Sequence, residues 1–144
     1  MKQKIKKCYI AHPFNSRGYI RSWQLRIQKG LNIKFINPFY PKRVYEKYNK
    51  EDMSCNNYYK ILDYKSIVNE DIKLIDKADM LLGIVDGEVS YGTIMEIVYA
   101  YIKNKKVYLI ITNKHDKHPW FKYHANKIFT RKKQFEKWIM KQTT

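Results

Sequence analysis

The apolar positions of the chain fall into short runs separated by polar turns, and the clearest pattern occupies residues 80–111. Met80–Val85 is an uninterrupted apolar run that stops at Asp86. The stretch after the following turn is apolar on nearly every side except at Glu96, and a further apolar run covers residues 107–111. This succession predicts a buried strand, a turn, a buried helix and a second buried strand. Such a unit is typical of parallel α/β sheets, in which ligands bind at the carboxyl ends of the strands.

The rest of the chain extends the same alternation of strands and helices. Short β-rich runs predict strands over residues 5–11, 33–36 and 127–129, and periodic apolar positions predict helices over residues 19–28 and 61–78. A final helix is predicted after Thr130, which can cap it, with a buried stripe formed by Phe135, Trp138 and Ile139. We therefore expect an α/β fold, a flavodoxin-like three-layer sandwich whose parallel sheet has about five strands, in a single domain spanning residues 1–144.

Residues 42–59 give no clear prediction, because they are rich in Lys, Asn and Tyr and lack a period. Their aromatic content argues against simple disorder. A mobile flap over a site and a plain surface excursion are both compatible with this composition, and the sequence does not decide between them.

Glu96 is the main candidate for chemistry, because a carboxylate within an apolar helix is penalised by desolvation unless it is paired or used. The ordinary alternative is a Glu that pairs with a Lys or turns to a wet edge of the helix. The apolar neighbours of Glu96 leave little room for such an edge, so we favour a functional role. Ser90, Gly92 and Thr93 precede it at the predicted helix start, where small residues expose backbone N–H groups to an anion but also serve as ordinary caps.

Three further residues are weaker candidates. Arg17 and Arg21 lie at the beginning of the first predicted helix, where they could meet a phosphate, although solvated surface arginines fit each position at least as well. Asp71 falls among the apolar positions of the helix over residues 61–78. Taken alone, Asp71 is compatible with an ordinary helix carboxylate.

The segment over residues 112–120 carries His115, Asp116 and His118, which have the residue types of metal ligands. No further ligand follows at a recognisable spacing, with His124 as the one candidate. We therefore expect a polar surface loop and no bound metal.

The formal net charge of +16 raises the possibility of nucleic-acid binding, because phosphate contacts dominate non-specific affinity. Only five of the 29 basic residues are Arg, however, and they are not gathered into one run. Nucleic-acid binding is thus the weaker interpretation, and a positive field would equally help to capture a phosphorylated small molecule.

Several features predict a protein of the cytoplasm. Cys8 and Cys55 lie far apart and give neither a metal-binding spacing nor a disulfide framework, which suits a reducing compartment. The first apolar segment is too short for a signal sequence, and no apolar run approaches the length of a membrane span.

Three sequence blocks, in the right order and spacing, resemble the nucleoside 2-deoxyribosyltransferases and the related N-glycosidases that hydrolyse nucleoside 5'-monophosphates. The resemblance covers residues 5–112 and, more faintly, the closing strand and helix. The blocks are Tyr9-Ile10-Ala11 followed by Pro13-Phe14, Asn69-Glu70-Asp71 followed by Ala78-Asp79, and the stretch from Asp86-Gly87 through Gly92-Thr93 to Glu96 and Tyr99-Ala100.

The resemblance implies roles for individual residues. By it, Glu96 is the nucleophile that attacks C1' of the sugar, Tyr9 orients that carboxylate, and Asp71 handles the proton of the departing base. It also implies a substrate-binding set that requires no cofactor: Ser90, Gly92, Asp86, Pro13 and Phe14, to which Arg17 and Arg21 are added as phosphate candidates. A nearby carboxylate suits the oxocarbenium-like transition state of glycosidic cleavage. A second base captures the glycosyl-enzyme in a transferase, and water does so in a hydrolase.

One position separates these two branches of the family. Six residues before the nucleophile the transferases often carry an Asp that holds the 5'-hydroxyl, whereas this chain has Ser90. A hydroxyl at a helix start can donate to a 5'-phosphate, which a carboxylate would repel. Asp86-Gly87 and Gly92-Thr93 resemble the transferases more closely, so both branches stay open, as do a non-catalytic nucleotide-binding module and a basic nucleic-acid-binding protein. The resemblance further implies a homo-oligomer, in which residues 115–120 could serve the site of a neighbouring subunit.

Overall fold

The structure is a computed structural model that describes residues 5–40 and 63–143. Its strands follow the predicted apolar runs closely, and the side chains of the three longer strands are largely buried. They are β1 (Lys7–Ala11), β2 (Lys34–Ile36), β3 (Met80–Val85), β4 (Lys106–Ile111) and β5 (Lys127–Phe129). The unclear segment over residues 42–59 lies outside the described residues, and so do residues 61 and 62, the first two of the helix predicted to begin at residue 61.

In the part of the chain that the structure describes, five α-helices connect or follow these strands. They are α1 (Arg17–Gln28), α2 (Tyr64–Asp76), α3 (Tyr91–Ile102), α4 (Pro119–His124) and α5 (Lys132–Thr143), with short 3₁₀ turns at Phe14–Ser16 and Lys114–Lys117. Within residues 5–40 and 63–143, no helix has the length and apolar character needed to cross a membrane.

All five strands pair in parallel, in the order β2-β1-β3-β4-β5. This is the flavodoxin-like order, so the predicted fold class is confirmed. The strand order reverses between β1 and β3, where Ala11, the last residue of β1, lies opposite Gly83. A crevice at such a reversal is the usual ligand site of an open parallel sheet.

The sheet is covered on both faces, because successive side chains of each strand alternate between two separate apolar clusters. On one face Ile10, Leu82 and Ile84 pack with residues of α1 and α5, including Trp23 and Phe135. On the other face Tyr9, Leu81 and Val85 pack with residues of α2, α3 and α4, including Ile75 and Ile97. The result is the predicted three-layer sandwich.

The predicted surface loop over residues 112–120 is largely exposed, but part of it has regular structure. A 3₁₀ turn occupies Lys114–Lys117, and α4 begins at Pro119. The side chain of His118 accepts a hydrogen bond from the Trp120 N–H at 3.3 Å, and proline is favoured at the first position of a helix. The histidine that resembled a metal ligand is therefore a helix cap.

Gly83 marks the tightest approach between the sheet and α3. A Cβ atom added at Gly83 would lie 2.7 Å from Leu109 Cδ2 and 3.1 Å from Ile97 Cδ1, within fully packed surroundings. We expect Gly83→Ala to lower the free energy of unfolding by about 1 kcal/mol, because overpacking costs more than the reduced chain entropy returns.

The matched control is Gly18→Ala, on the exposed side of α1, where a Cβ meets nothing within 4 Å. This control should raise stability slightly, since Ala favours helices over Gly. Urea unfolding monitored by circular dichroism compares the two variants. Equal urea midpoints for Gly83→Ala and Gly18→Ala would contradict the close approach of Leu109 and Ile97 to Gly83.

Candidate functional site

A cavity of about 450 Å³ opens beside the reversal of strand order, between α2 and α3. The loops after β1 and β2 complete its wall. Among the described residues, the lining comes from these two loops and the two helices, and it combines polar groups with apolar and aromatic side chains: His12, Phe14, Phe39, Ile67, Val68, Asp71, Ile72, Ile75, Ser90, Gly92, Thr93, Met95, Glu96 and Tyr99. The position and chemistry match those of a small-molecule site.

Two carboxylates reach this cavity from facing helices. Glu96 lies in the second turn of α3 and Asp71 near the middle of α2, and both side chains are half-buried. The Oε2 atom of Glu96 is shielded from solvent. A methyl group at Gly92, one turn earlier in α3, would lie 3.9 Å from Glu96 Oε1, which is an ordinary van der Waals distance.

Ser90 caps α3 and also lines the cavity. Its Oγ accepts a hydrogen bond from the Thr93 N–H at 3.2 Å and lies 2.7 Å from Thr93 Oγ1. The first N–H groups of a helix lack intrahelical partners, so this end of α3 carries partial positive charge. Both sequence interpretations of Ser90, as a cap and as a residue of the site, are thus compatible with one geometry.

Tyr9 occupies the core below the site. Its side chain is fully buried in the cluster that contains Leu81 and Ile97, and its hydroxyl oxygen is shielded from solvent. Ile75 belongs to the same cluster and lines the cavity, whereas Tyr9 is absent from the described lining. Any effect of Tyr9 on the cavity therefore acts from behind its wall.

Of the residues predicted after β1, Phe14 lines the cavity and Pro13 is buried beside it. The Arg17 guanidinium lies 3.8 Å from the centroid of the Phe14 ring and donates a hydrogen bond to the Phe14 carbonyl at 3.0 Å. Arg21 lies 5.1 Å from the Tyr40 ring centroid. The described lining of the cavity includes neither arginine.

Asp86 is likewise absent from the described lining and faces the other side of the sheet. Its carboxylate accepts hydrogen bonds from Lys132 Nζ at 2.6 Å and from Thr112 Oγ1 at 2.7 Å. Lys132 also contacts the Tyr19 hydroxyl. The bond from Lys132, and then that from Thr112, lower the pKa of the Asp86 carboxyl. Asp86 thereby anchors the loop between β3 and α3 to α1, β4 and α5.

We expect Lys132→Met to lower the free energy of unfolding by about 1 kcal/mol at neutral pH, because a partly buried carboxylate loses its cation. The folded pKa of Asp86 is depressed from 3.8, so the stabilisation is present above that pH and is lost as the pH falls below it. In urea unfolding from pH 7 to pH 3, the midpoints of the wild type and the variant should therefore begin to move closer together at the acid end of the range. The exposed neighbour Lys133→Met is the control. A constant difference across this range would contradict the ion pair.

His12 is a site residue that the sequence analysis missed. It follows β1 directly, is only 3% exposed and lines the cavity. Its Nδ1 lies 2.9 Å from the Pro13 carbonyl oxygen and its Nε2 lies 3.1 Å from Asn37 Oδ1. Burial lowers the pKa of His12, and the two hydrogen bonds oppose this effect. Its position at the end of a strand beside the switch point was the available signal, but its partner Asn37 is remote in sequence.

The remaining histidines line a separate, mostly apolar cavity of about 410 Å³, formed by α3 and the segment that ends in α4. His115, His118 and His124 contribute to it, and the Trp120 ring stacks on that of His124 at 5.7 Å. No group of three or more potential ligands is arranged to hold a metal ion in the part of the chain that the structure describes.

The comparisons with known proteins agree with this fold. A sequence model of the family described as nucleoside 2-deoxyribosyltransferase matches residues 8–136. The chain therefore belongs to the nucleoside 2-deoxyribosyltransferase family, as the three sequence blocks predicted. No curated protein matches the chain.

Three solved structures have the same fold at low sequence identity. A conserved protein from Enterococcus faecalis V583 has a TM-score of 0.69 and 17% identity, over 96% of this chain and 98% of that one. A 2-deoxyribosyltransferase from Bacillus psychrosaccharolyticus has a TM-score of 0.66 and 20% identity, over 90% of each chain. The CMP N-glycosidase BcmB from Clostridium botulinum has a TM-score of 0.60 and 15% identity, over 93% of this chain and 98% of that one.

Proposed function

We propose that the protein cleaves the N-glycosidic bond of deoxynucleosides and transfers the 2-deoxyribosyl group to another base, with Glu96 as the nucleophile. The observation that carries this proposal is the pair of carboxylates, Glu96 and Asp71, that face one cavity at the switch point of this family's fold. The aromatic rings of Phe14 and Phe39 in the same wall suit a planar base.

In the proposed reaction a carboxylate oxygen of Glu96 attacks C1' of the sugar while the bond from C1' to the base nitrogen breaks. The electron pair of that bond leaves with the base, and protonated Asp71 donates a proton to it. An ester between Glu96 and C1' results. A second base then attacks C1', Glu96 departs as a carboxylate, and Asp71 takes up the proton of the incoming base. We assign to Tyr9 the orientation of Glu96 from behind the cavity wall.

A nucleoside 5'-monophosphate N-glycosidase is the second candidate, in which water replaces the acceptor base. Ser90 favours it, because a hydroxyl and the positive end of α3 line the cavity at the position where the transferases often have an Asp. The arginines do not add to this argument, because Arg17 is engaged with Phe14 and Arg21 is near Tyr40. The absence of a cofactor and a cytoplasmic location both stay predictions.

The test incubates purified protein with a panel of deoxynucleosides, ribonucleosides and their 5'-monophosphates, with and without a second free base, and separates the products by liquid chromatography. A new nucleoside that forms only with the acceptor base supports the transferase. Free base released from monophosphates alone supports the hydrolase. If no compound in the panel turns over, the proposed catalysis fails, and a nucleotide-binding module or a nucleic-acid-binding protein becomes the better proposal.

We also propose that the protein assembles as a homo-oligomer through α3. Tyr91, Met95 and Ile102 form an exposed apolar stripe on this helix, at 85%, 70% and 67% exposure. The helix contains no Lys or Arg, although the chain as a whole has a net charge of +16. Depletion of charge around exposed apolar side chains is typical of interfaces. Met95 also lines the candidate active site, so a second copy seated here would cover its mouth.

Sedimentation velocity at micromolar concentration should find an oligomer for the wild type and a smaller species for Ile102→Glu, which places a charge in the stripe. The control is Leu25→Glu, an exposed apolar position on α1. A monomeric wild type with full activity would contradict the assembly.

A further inference from the structure

We propose that His12 and Asn37 are positioning residues that together set the distance between Phe14 and Phe39, the two phenylalanine rings in the wall of the candidate active site. This inference rests on the proposed function, because it explains how the same cavity holds the base of its substrate. Neither residue was among those that carried the family resemblance, although His12 lies between Ala11 and Pro13 of the first sequence block.

The two residues link neighbouring loops of the site. His12 follows β1, Asn37 follows β2, and their exposures are only 3% and 2%. His12 Nε2 lies 3.1 Å from Asn37 Oδ1. Because β1 and β2 are adjacent strands, this bond joins the two loops that carry Phe14 and Phe39.

The surrounding bonds determine which atom donates. Asn37 Oδ1 accepts from the Phe39 N–H at 3.1 Å, and Asn37 Nδ2 donates to Gln24 Oε1 at 3.2 Å. Turning the amide over would set its NH₂ group against the Phe39 N–H. The oxygen of Asn37 therefore faces His12. Both ring nitrogens of His12 face acceptors, Asn37 Oδ1 and the Pro13 carbonyl oxygen, so the bond to Asn37 forms when Nε2 carries the proton.

This link reaches both phenylalanine rings. Phe39 is held through its backbone by Asn37 and through its ring by His12, whose centroid lies 5.0 Å away. Phe14 follows His12 by two residues and meets Phe39 edge to face, with centroids 5.5 Å apart and an interplanar angle of 71°. Aromatic stacking depends on separation and angle, so a shift of either loop changes the space available to a base.

The test compares His12→Phe, Asn37→Leu and the double variant with the wild type. His12→Phe retains an aromatic ring against Phe39 and removes the hydrogen bonds. We expect each single variant and the double variant to raise KM about tenfold, the effect of losing one well-placed interaction, with kcat changed much less. Asn32→Leu, an exposed position just before β2, is the control and should leave KM unchanged.

Stability separates positioning from a merely structural role. Asn37→Leu should lower the thermal midpoint, because it leaves a buried partner unpaired, and the double variant should recover part of the loss. The inference is overturned if KM of the double variant returns to the wild-type value together with its stability. It is also overturned if the single variants leave KM unchanged.

A binding measurement keeps this result distinct from the proposed reaction. Calorimetric titration of Glu96→Gln protein with deoxynucleosides and their 5'-monophosphates measures affinity without turnover. If the wild type turns over no compound but His12→Phe in the Glu96→Gln background weakens binding about tenfold, the proposed function fails and the positioning role stands. If none of the panel binds, both fail.

Discussion

Glu96→Gln is expected to lower kcat for base release or transfer by at least about a thousandfold, because it removes the attacking carboxylate and its negative charge. Gln has nearly the same shape and size as Glu, so the cavity and its affinity for nucleosides should be retained. Rapid quench followed by mass spectrometry offers a direct check. Wild-type protein should accumulate a glycosyl adduct on the tryptic peptide that contains residue 96, and the variant should not.

The matched control is Glu88→Gln, an exposed glutamate in the loop that leads to α3. It removes the same charge outside the described lining of the cavity, so kcat should stay within a factor of about two. Retention of more than about a tenth of wild-type kcat by Glu96→Gln, with normal binding, would exclude Glu96 as the nucleophile.

Asp71→Asn is expected to lower kcat by about a hundredfold or more for ordinary bases, the usual contribution of a general acid. The reason is that an amide cannot protonate the departing base. A nucleoside of 7-methylguanine provides a sharper measurement, because its positively charged base leaves without being protonated. Asp71→Asn should therefore cleave this compound within about tenfold of the wild-type rate.

Glu70→Gln changes the neighbouring carboxylate of α2, which lies 3.9 Å from Lys73 and does not line the cavity. This variant should leave kcat unchanged for the ordinary nucleoside and for the 7-methylguanine nucleoside. If Asp71→Asn lowers kcat equally for both substrates, the general-acid role is excluded, and a role for Asp71 in binding the sugar becomes the better explanation.

Much of the architecture could be predicted, because the apolar periodicity identifies strands and helices and their alternation along the chain is typical of a parallel sheet. The apolar runs located all five strands, and the rule that parallel sheets bind ligands at carboxyl strand ends brought Glu96 and Ser90 to one crevice. Asp71 came to the same crevice only through the family resemblance. Its helix gives no local signal that distinguishes a site carboxylate from a solvated one.

The side of the sheet on which a residue lies was the main source of error. Val85 packs on the face covered by α2 and α3, so the next residue, Asp86, points towards the opposite face, where α1 and α5 supply Tyr19 and Lys132. Counting this alternation one residue past the strand would have separated Asp86 from the cavity.

His12 could not be found in the same way. Its significance depends on Asn37, which lies 25 residues away and becomes its neighbour only when β2 pairs with β1. A buried histidine without a known partner is indistinguishable in sequence from an ordinary loop residue.

The ion pair between Asp86 and Lys132, which holds the loop ahead of α3, joins two residues that are synthesised at different times. Lys132 leaves the ribosome 46 residues after Asp86, when β4, α4 and β5 have already been made. A nascent chain can thus contain Glu96 and Asp71 while the segment that leads into α3 still lacks its cation. Because α5 supplies the cation for the loop ahead of the candidate nucleophile, we expect the geometry of that loop to be complete only after α5 has been synthesised.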